Sequence, residues 1–370
     1  MRYGSAILTA ILALFFFSLS SPAQSRRIAP TPTPTPKDET QRINTEEIKL
    51  NVLAFDERGA FFPDVGSNDL VIREDDILHQ PSSVRRIPAN VLIVLDTGGE
   101  MRSVKGLDQT RKVARAVASS LRNGDSIAVM QYSDKPEIVL EWTNDKQQAL
   151  TAINRTKFGR RDDFAGALKL AKDFLIRNPA DNRHLVLITD GTDSVSGSSA
   201  KFDALRSLLT TDISVHVISY TSMEAADIAP RTRGVNNTPP PKALPPEVEA
   251  QLPNGVKPTG VKIGPTINLD RTLLRKLKAR KAELETSQDQ LEKIAEASNG
   301  EFILPDSIDE MVDKAPLVAR MIDSAYVVTY IPKLPVNERK GVVERNIEVT
   351  SKRDGLIVQA KRRLVIDNGR

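Results

Sequence analysis

The sequence contains no cysteine, and its 370 residues include only three histidines. The absence of cysteine excludes disulfide bonds, thiol nucleophiles, thiolate metal sites and lipid attachment through a cysteine. The net charge is only +4, with 52 basic and 48 acidic residues, so it gives no strong electrostatic argument for binding nucleic acid. Neither a thiol enzyme nor a nucleic-acid-binding protein is predicted.

The motifs of several enzyme classes are also missing. The sequence has no His-Glu-x-x-His zinc motif, no nucleophile elbow and no glycine-rich phosphate-binding loop. Asp96 at the end of a predicted strand resembles the start of a haloacid-dehalogenase phosphatase motif, but that motif needs a second aspartate where this chain has Gly98. A hydrolase or phosphatase is therefore the lesser alternative, and we predict that the protein is not an enzyme.

One long apolar run lies at the N-terminal end. Arg2 precedes the nearly continuous apolar segment 6–19, and small residues follow at 21–23. This pattern is typical of a secretory signal peptide, and the segment is shorter than the roughly 20 residues that span a bilayer. We predict cleavage after Ala23, with a retained anchor as the alternative. No later segment is apolar enough to span a membrane, so the mature protein is expected to be secreted, periplasmic or held at the cell envelope.

The rest of the chain divides by composition. Prolines alternate with threonines in segment 29–36, which favours an extended polyproline spacer. Alternating strand patterns flank a central region in which strands alternate with helices. The predicted organisation is a signal peptide (1–23), a Pro/Thr-rich linker (24–44), one part of a β subdomain (45–88), an α/β domain (89–322) with a proline-rich insertion (223–268), and the second part of the β subdomain (323–370).

Two short apolar strands of the central region each end in an aspartate. Residues 91–95 precede Asp96, and residues 185–189 precede Asp190. Strands that are apolar on both faces lie inside parallel sheets covered by helices, so the pattern predicts an α/β fold with a doubly wound, mostly parallel sheet. Because ligands bind at the carboxyl ends of such strands, Asp96 and Asp190 are expected to share one edge, as a cation site or the remains of one.

These segments resemble a von Willebrand factor type A domain, and more narrowly a related family of exported bacterial proteins. The matching segments are 91–96, 129–134, 166–168, 187–191, 213–220, 291–300 and 325–330. Members of the wider family often carry a metal-ion-dependent adhesion site with the pattern Asp-x-Ser-x-Ser, a threonine on a second loop and an aspartate on a third. By this resemblance Asp96 and Asp190 match the two aspartates. Gly98 and Glu100 replace the serines, and Asp162 falls at or near the threonine.

The candidate metal ligands implied by the resemblance are Asp96, Glu100, Asp162 and Asp190, for Mg²⁺ or Ca²⁺. Gly98 supplies no side-chain oxygen. Four carboxylates around one divalent cation would leave a net negative cluster, which would repel an acidic group of a partner. In the alternative interpretation these acids are structural, and they cap loops or helix N-termini without a cation.

The resemblance and the missing catalytic motifs predict an exported, non-enzymatic protein-binding module. Its contacts are expected at the loops 96–106, 158–164 and 190–199. The alternative is a structural cell-envelope protein that binds anionic lipid or polymer through basic residues of a helix predicted over 270–298. A solvated helix face is the simpler interpretation of those basic residues.

Overall fold

The structure is a computed structural model that describes residues 47–99, 106–233, 235–236, 266–267, 270–334 and 341–367. The predicted signal peptide, the linker, Glu100 and most of the proline-rich insertion lie outside the described residues. Their assignments, and the domain boundaries, stay predictions. Within the described ranges, no helix combines the length and the apolar composition that crossing a bilayer requires.

The described elements place an α/β unit between two strand-rich ends. The strands are β1 Ile48–Phe55, β2 Leu70–Glu74, β3 Ile77–His79, β4 Ser83–Arg85, β5 Asn90–Asp96, β6 Ser126–Tyr132, β7 Pro136–Thr143, β8 Arg183–Thr189, β9 Ser214–Ser219, β10 Val235–Asn236, β11 Thr266–Ile267, β12 Phe302–Ile303, β13 Ala325–Tyr330, β14 Val342–Ser351, β15 Ile357–Ala360 and β16 Arg363–Asp367. The helices are α1 Leu107–Ser120, α2 Lys146–Arg155, α3 Phe164–Arg177, α4 Ser198–Leu209, α5 Thr221–Ile228, α6 Arg271–Ala297 and α7 Ile308–Asp323.

The α/β unit is built on a six-stranded sheet in the order β12-β9-β8-β5-β6-β7. Its strands are parallel except β7, which pairs antiparallel with β6. Along β5, Val91 and Ile93 face a core formed with α1, α2 and α7, while Leu92 and Val94 face a core formed with α3, α4 and α6. Helices thus cover both faces, which confirms the predicted doubly wound sheet and explains why β5 is apolar at successive positions.

The two ends of the described chain form a small β-rich subdomain. β1 lies between β13 and β15 in one four-stranded sheet, and β14 lies between β16 and β2 in another. Apolar side chains of both sheets share one core that includes Leu50, Leu70, Tyr326 and Ile347. Both flanking segments thus contribute strands to this subdomain, as the strand patterns at the two ends predict.

A buried lysine separates the last two strands. The sequence pattern predicts one strand over 356–366, but β15 and β16 belong to different sheets. Between them, Lys361 turns inward and donates to the carbonyls of Leu209 and, at 3.3 Å, Thr211 in the α/β unit. Burial lowers the pKa of Lys361 to about 8. The strand therefore breaks where a side chain of the subdomain crosses to the α/β unit.

Two other short elements differ from the sequence-based expectation. The acidic residues 74–76 predict a turn after β2, and the structure adds β3 beyond it as a hairpin strand. Residues 221–228 form α5, although the insertion is predicted to begin at 223. Met223 and Ile228 are buried against neighbouring elements, so the helix is held by packing that a proline-rich composition downstream does not reveal.

Candidate functional site

Three of the four predicted site residues lie at the carboxyl edge of the sheet. Asp96 ends β5, Asp190 follows β8, and Asp162 precedes α3; all three are almost fully buried. Burial, followed by the negative charges of these three aspartates, raises the pKa of Tyr132, at the end of β6. We call Asp96, Asp162 and Asp190 the acidic edge. The fourth predicted ligand, Glu100, is outside the described residues.

The carboxylate of Asp96 accepts hydrogen bonds from the protein itself. Its Oδ1 accepts from the Gly98 N–H at 3.2 Å. Its Oδ2 accepts from the Tyr220 hydroxyl at 2.5 Å and from the Thr189 hydroxyl at 3.4 Å. Because Thr189 has one hydroxyl proton, the 2.5 Å contact between Thr189 and Tyr132 then has Tyr132 as its donor. Asp96 is thus held by a chain of hydroxyl groups from three strand ends.

Asp190 is paired with an arginine. Its Oδ1 accepts from the backbone N–H and the hydroxyl of Thr192, both at 2.7 Å. Its Oδ2 accepts from Arg280 Nη2 at 3.0 Å. The same guanidinium contacts Glu224 at 3.2 Å and Glu283 at 3.4 Å. Burial disfavours the charged guanidinium, but the three carboxylates outweigh burial and raise the pKa of Arg280.

Position 98 has no space for a side chain. A Cβ atom at Gly98 would lie 2.1 Å from the Arg161 carbonyl oxygen and 2.3 Å from Asp162 Oδ1. The backbone before α3 therefore approaches the loop after β5 as closely as a glycine allows. The volume that a serine would need is occupied by Arg161 and Asp162.

Hydrogen bonds join the loops at this edge to one another. The Gly159 N–H donates to the Thr97 carbonyl at 3.0 Å, and the Asp163 N–H donates to the Ser133 carbonyl at 2.8 Å. Asp162 and Ser194 bond reciprocally: the Asp162 N–H donates to Ser194 Oγ, and the Ser194 N–H donates to the Asp162 carbonyl, each at 2.9 Å. Loops after β5, β6 and β8 and the loop before α3 thus form one connected surface.

Arg280 is the main residue of the site that the sequence analysis missed. On α6, the buried residues Leu277, Leu284 and Leu291 recur every seven positions, and Arg280 and Ser287 occupy the intervening positions of the same stripe. The interpretation as a solvated basic face is therefore wrong for Arg280, although it holds for the exposed Arg275. A charged residue on an apolar stripe is the signal that would have identified it. Thr189 and Tyr220 reach Asp96 only through the tertiary fold.

The described residues of the acidic edge do not fit a divalent cation. Asp190 is bonded to a guanidinium, Asp96 accepts from two hydroxyls, and Asp162 fills the space beside Gly98. Among the described residues, no group of three or more His, Asp or Glu side chains is arranged to hold a metal ion. The Mg²⁺ or Ca²⁺ site that includes Glu100 stays a prediction.

Restoring the serine of the adhesion-site pattern is expected to destabilise this protein. In Gly98→Ser, the new side chain must displace the backbone at Arg161, which we expect to cost about 1–3 kcal/mol and to lower the unfolding midpoint by about 5 °C. Thermal unfolding monitored by circular dichroism measures the shift. Gly197→Ser is the matched control, because no atom lies within 4 Å of its Cβ position and serine is favoured at the N-cap that Gly197 occupies. Equal midpoints for the two variants would contradict the close approach at Gly98.

Comparison with known proteins finds a family match in the region that carries this edge. Residues 91–192 match the sequence profile of the family described as von Willebrand factor type A domain. No curated protein matches the chain. Among solved structures, BatB of Bacteroides thetaiotaomicron is similar at 15% identity, with 63% of this chain and 98% of that chain covered and a TM-score of 0.40.

Two further solved structures are similar over more of the chain. A von Willebrand factor type A protein of Catenulispora acidiphila has 10% identity, covering 88% of this chain and 75% of that one, with a TM-score of 0.42. The manganese-loaded TRAP protein of Plasmodium vivax also has 10% identity, covering 88% and 99%, with a TM-score of 0.38. The profile match spans β5 to the loop after β8, which is the part of the sheet that carries the acidic edge. Residues 91–192 of this chain therefore match a von Willebrand factor type A domain.

Proposed function

We propose that this protein is an exported, non-enzymatic binding module that recognises another protein through the loops at the carboxyl edge of its six-stranded sheet. Export rests on the predicted signal peptide at 1–23. The binding role rests on the von Willebrand factor type A domain and on the missing catalytic motifs. The recognition surface comprises the described parts of the loops at 96–99, 158–164 and 190–199.

The observation that carries this proposal is the connected loop surface. Loops that bond to each other through Thr97, Ser133, Asp162 and Ser194 are held in one arrangement before a partner arrives. A preorganised surface loses less conformational entropy on binding than a set of independent loops does. Val195, an aliphatic side chain that is 42% exposed, lies within this surface and supplies an apolar contact.

Crosslinking at Val195 is expected to capture the partner. A photoreactive phenylalanine analogue replaces Val195 in one variant of the full chain and Ile176 in another, and both variants are expressed in the same host cells. Ile176 is the control because it is similarly exposed, at 46%, but lies near the C-terminal end of α3, away from the loops. We expect an adduct of defined mass at 195 that is at least fivefold stronger than any adduct at 176.

Binding by the purified partner then tests the same surface. Val195→Asp is expected to weaken binding at least tenfold by calorimetry, because it places a charge where an apolar contact forms, while Ile176→Asp leaves the affinity unchanged. Equal crosslinking at the two positions, or equal affinity of the two variants, would show that this edge is not the recognition surface.

A second candidate function is supported by the exposure of basic residues on α6. Arg271, Arg275, Lys276 and Lys278 are all exposed, and they form a cationic face suited to an anionic lipid or polymer of the envelope. Sedimentation with anionic and neutral vesicles separates the two functions. Anionic binding that is lost in Arg275→Gln/Lys278→Gln would favour the envelope role.

The predicted divalent cation raises the question of whether recognition at this surface needs a metal ion. Mg²⁺ or Ca²⁺ at Asp96, Glu100, Asp162 and Asp190 is the prediction from the family pattern, and the TRAP protein of similar fold is manganese-loaded. We propose that recognition by this chain does not depend on such an ion. The reason lies in the contacts of Arg280.

A further inference from the structure

We propose that Arg280 supplies, from within the chain, the positive charge that a divalent cation supplies in adhesion sites of this family. Recognition at the acidic edge is then independent of metal. The role of Arg280 is a property of the chain alone and holds whether or not the proposed partner exists. It follows from the contacts, the burial and the helix position of Arg280, taken in turn.

The guanidinium contacts two carboxylates from other elements of the fold. Arg280 Nη2 lies 3.0 Å from Asp190 Oδ2, after β8, and 3.2 Å from Glu224 Oε2, on α5. Side-chain exposure is 5% for Asp190, 7% for Glu224 and 20% for Arg280. Two carboxylates at this depth need a positive charge close by, because desolvation strongly disfavours an uncompensated buried anion. A guanidinium provides that charge permanently, since it does not lose its proton in proteins.

Asp190, which matches the third-loop aspartate of the family pattern, is thereby already bonded to side chains of the protein. Asp190 directs Oδ1 to Thr192 and Oδ2 to Arg280, so both of its oxygens have protein donors. A divalent cation at Asp190 would have to displace the guanidinium and would meet it as a like charge. The position opposite, at Gly98, has no hydroxyl to offer and no space for one.

α6 fixes Arg280 in place through successive turns. Ser287 donates to the Gly191 carbonyl at 3.2 Å and accepts from Lys201 Nζ at 2.8 Å. Leu291 packs against Gly191, where a Cβ atom would lie 2.8 Å from Leu291 Cδ1. Gly191 has φ +66°, so the loop after Asp190 is shaped to receive the helix. The positive charge at the acidic edge thus belongs to Arg280, a side chain that the packing of α6 fixes in place, and not to an exchangeable metal ion.

This arrangement changes what the edge can recognise. A metal-dependent site completes the coordination of its ion with an acidic group of the partner. Here the guanidinium is already paired with Asp190, Glu224 and Glu283, so three carboxylates of the chain balance its charge before a partner's carboxylate arrives. The partner must therefore be recognised by the surface of the loops, and the chemistry expected of it is apolar or hydrogen-bonding and not a metal-seeking carboxylate.

The test compares the thermal unfolding midpoint of the chain without the predicted signal peptide (1–23) in 5 mM Mg²⁺, Ca²⁺ or Mn²⁺ and in EDTA. The unfolding midpoint of the wild type is expected to change by less than 1 °C among these conditions. Arg280→Gln is expected to lower the midpoint by about 6 °C, because two buried carboxylates lose the guanidinium that balances their charge. Arg275→Gln is the matched control, since it removes one exposed charge from the same helix, and a shift below 1 °C is expected.

Cation rescue separates this role from that of an ordinary ion pair. In Arg280→Gln, Mn²⁺ or Ca²⁺ is expected to recover at least 2 °C of the lost midpoint, because Asp190 Oδ2 then lacks its guanidinium donor and can take a metal ion instead. Arg280→Lys keeps the positive charge. Its unfolding midpoint is expected to lie above that of Arg280→Gln and not to change when divalent cations are added. Isothermal titration of the wild type requires no variant, and micromolar binding of any of the three cations would overturn the proposal. Loss of stability in Arg280→Gln without any cation response would overturn it as well.

Discussion

Acidification from pH 7 to pH 5 is expected to lower the free energy of unfolding by about 2 kcal/mol through His216 alone, with His184 adding to the loss. The two histidines lie side by side in β8 and β9, and neither is exposed to solvent. Burial lowers the pKa of His216 to about 3, and burial with the neighbouring His216 lowers the pKa of His184 well below its usual value.

The hydrogen bonds fix both rings in the neutral form. The Glu301 N–H donates to His216 Nδ1 at 3.1 Å, so the proton of His216 is on Nε2. That Nε2–H donates to His184 Nδ1 at 3.0 Å, and His184 Nε2–H donates to the Asn182 side-chain oxygen at 2.9 Å. A second proton on either ring would break one of these bonds and place a charge inside the sheet.

The sign of the pH effect follows from the lowered pKa values. Above about pH 6.5 the histidines are neutral in both the folded and the unfolded chain, so the full stability is present. As the pH falls below 6.5, the unfolded chain takes up protons that the folded chain cannot, and stability is lost. For His216 the loss is about 4 kcal/mol at pH 3 and approaches about 5 kcal/mol only at lower pH. Glu301 acts in the opposite direction, because burial raises its pKa and its folded form takes up a proton first.

Urea unfolding at pH 7, 6 and 5 measures how steeply the free energy of unfolding falls as the pH is lowered. His216→Gln is the informative variant. Glutamine keeps one acceptor and one donor but does not titrate, so the variant is expected to lose about 2 kcal/mol less than the wild type between pH 7 and 5. Glu301→Gln, which removes the opposing titration, is expected to steepen the loss. An unchanged slope in His216→Gln would show that the histidine pair is not the origin of the acid sensitivity.

Arg345→Met is expected to destabilise the β subdomain by about 3–5 kcal/mol and to lower its unfolding midpoint by about 10 °C. Arg345 Nη1 lies 2.6 Å from Glu74 Oε1, with side-chain exposures of 8% and 4%, and it also donates to the Leu334 carbonyl at 3.1 Å. Glu74 Oε2 lies 3.4 Å from His79 Nε2. Removal of the guanidinium leaves the Glu74 carboxylate in the core without its main counter-charge, which is the costly half of a buried ion pair.

The same pair of strands provides a control on its exposed side. Arg73 and Glu348 are direct neighbours across β2 and β14, 3.9 Å apart, with side chains 46% and 65% exposed. Arg73→Met is expected to change the stability by less than about 1 kcal/mol, because exposed ion pairs contribute little. Glu74→Leu combined with Arg345→Met is expected to recover most of the loss. If Arg345→Met were no more destabilising than Arg73→Met, the buried pair would have no special role in stability.

The sequence patterns that predicted the fold are those in which every residue of a segment faces the same kind of environment. β5 and β8 lie between two layers of helices, so they are apolar at successive positions and their assignment is straightforward. Asp96 and Asp190 follow from those strands, since parallel strands end at a common edge. The resemblance to a von Willebrand factor type A domain includes these two strands, and the profile match over 91–192 covers both of them.

The parts that could not be predicted depend on contacts between distant segments. The break between β15 and β16 is explained by the bonds of Lys361 to the last residue of α4 and to the loop after it. The hydroxyl donors to Asp96 come from Thr189 and Tyr220, and nothing near Asp96 in the sequence indicates them. Arg280 lies within a basic run, where its charge resembles that of its exposed neighbours, and only the spacing of the buried leucines on α6 sets it apart.

The position of β1 has a consequence for the order of folding. β1 is made early in synthesis, but both of its neighbours, β13 and β15, come after the whole α/β unit, so that Ile48 pairs with Tyr330. Until those strands emerge, the apolar face of β1 has no partner in its sheet, and closing such distant pairs is slow. We infer that the β subdomain forms last and that its strand pairing then joins the two flanking segments of the chain. A chain that stops short of β13 would present β1 as an aggregation-prone strand to any quality-control machinery it meets.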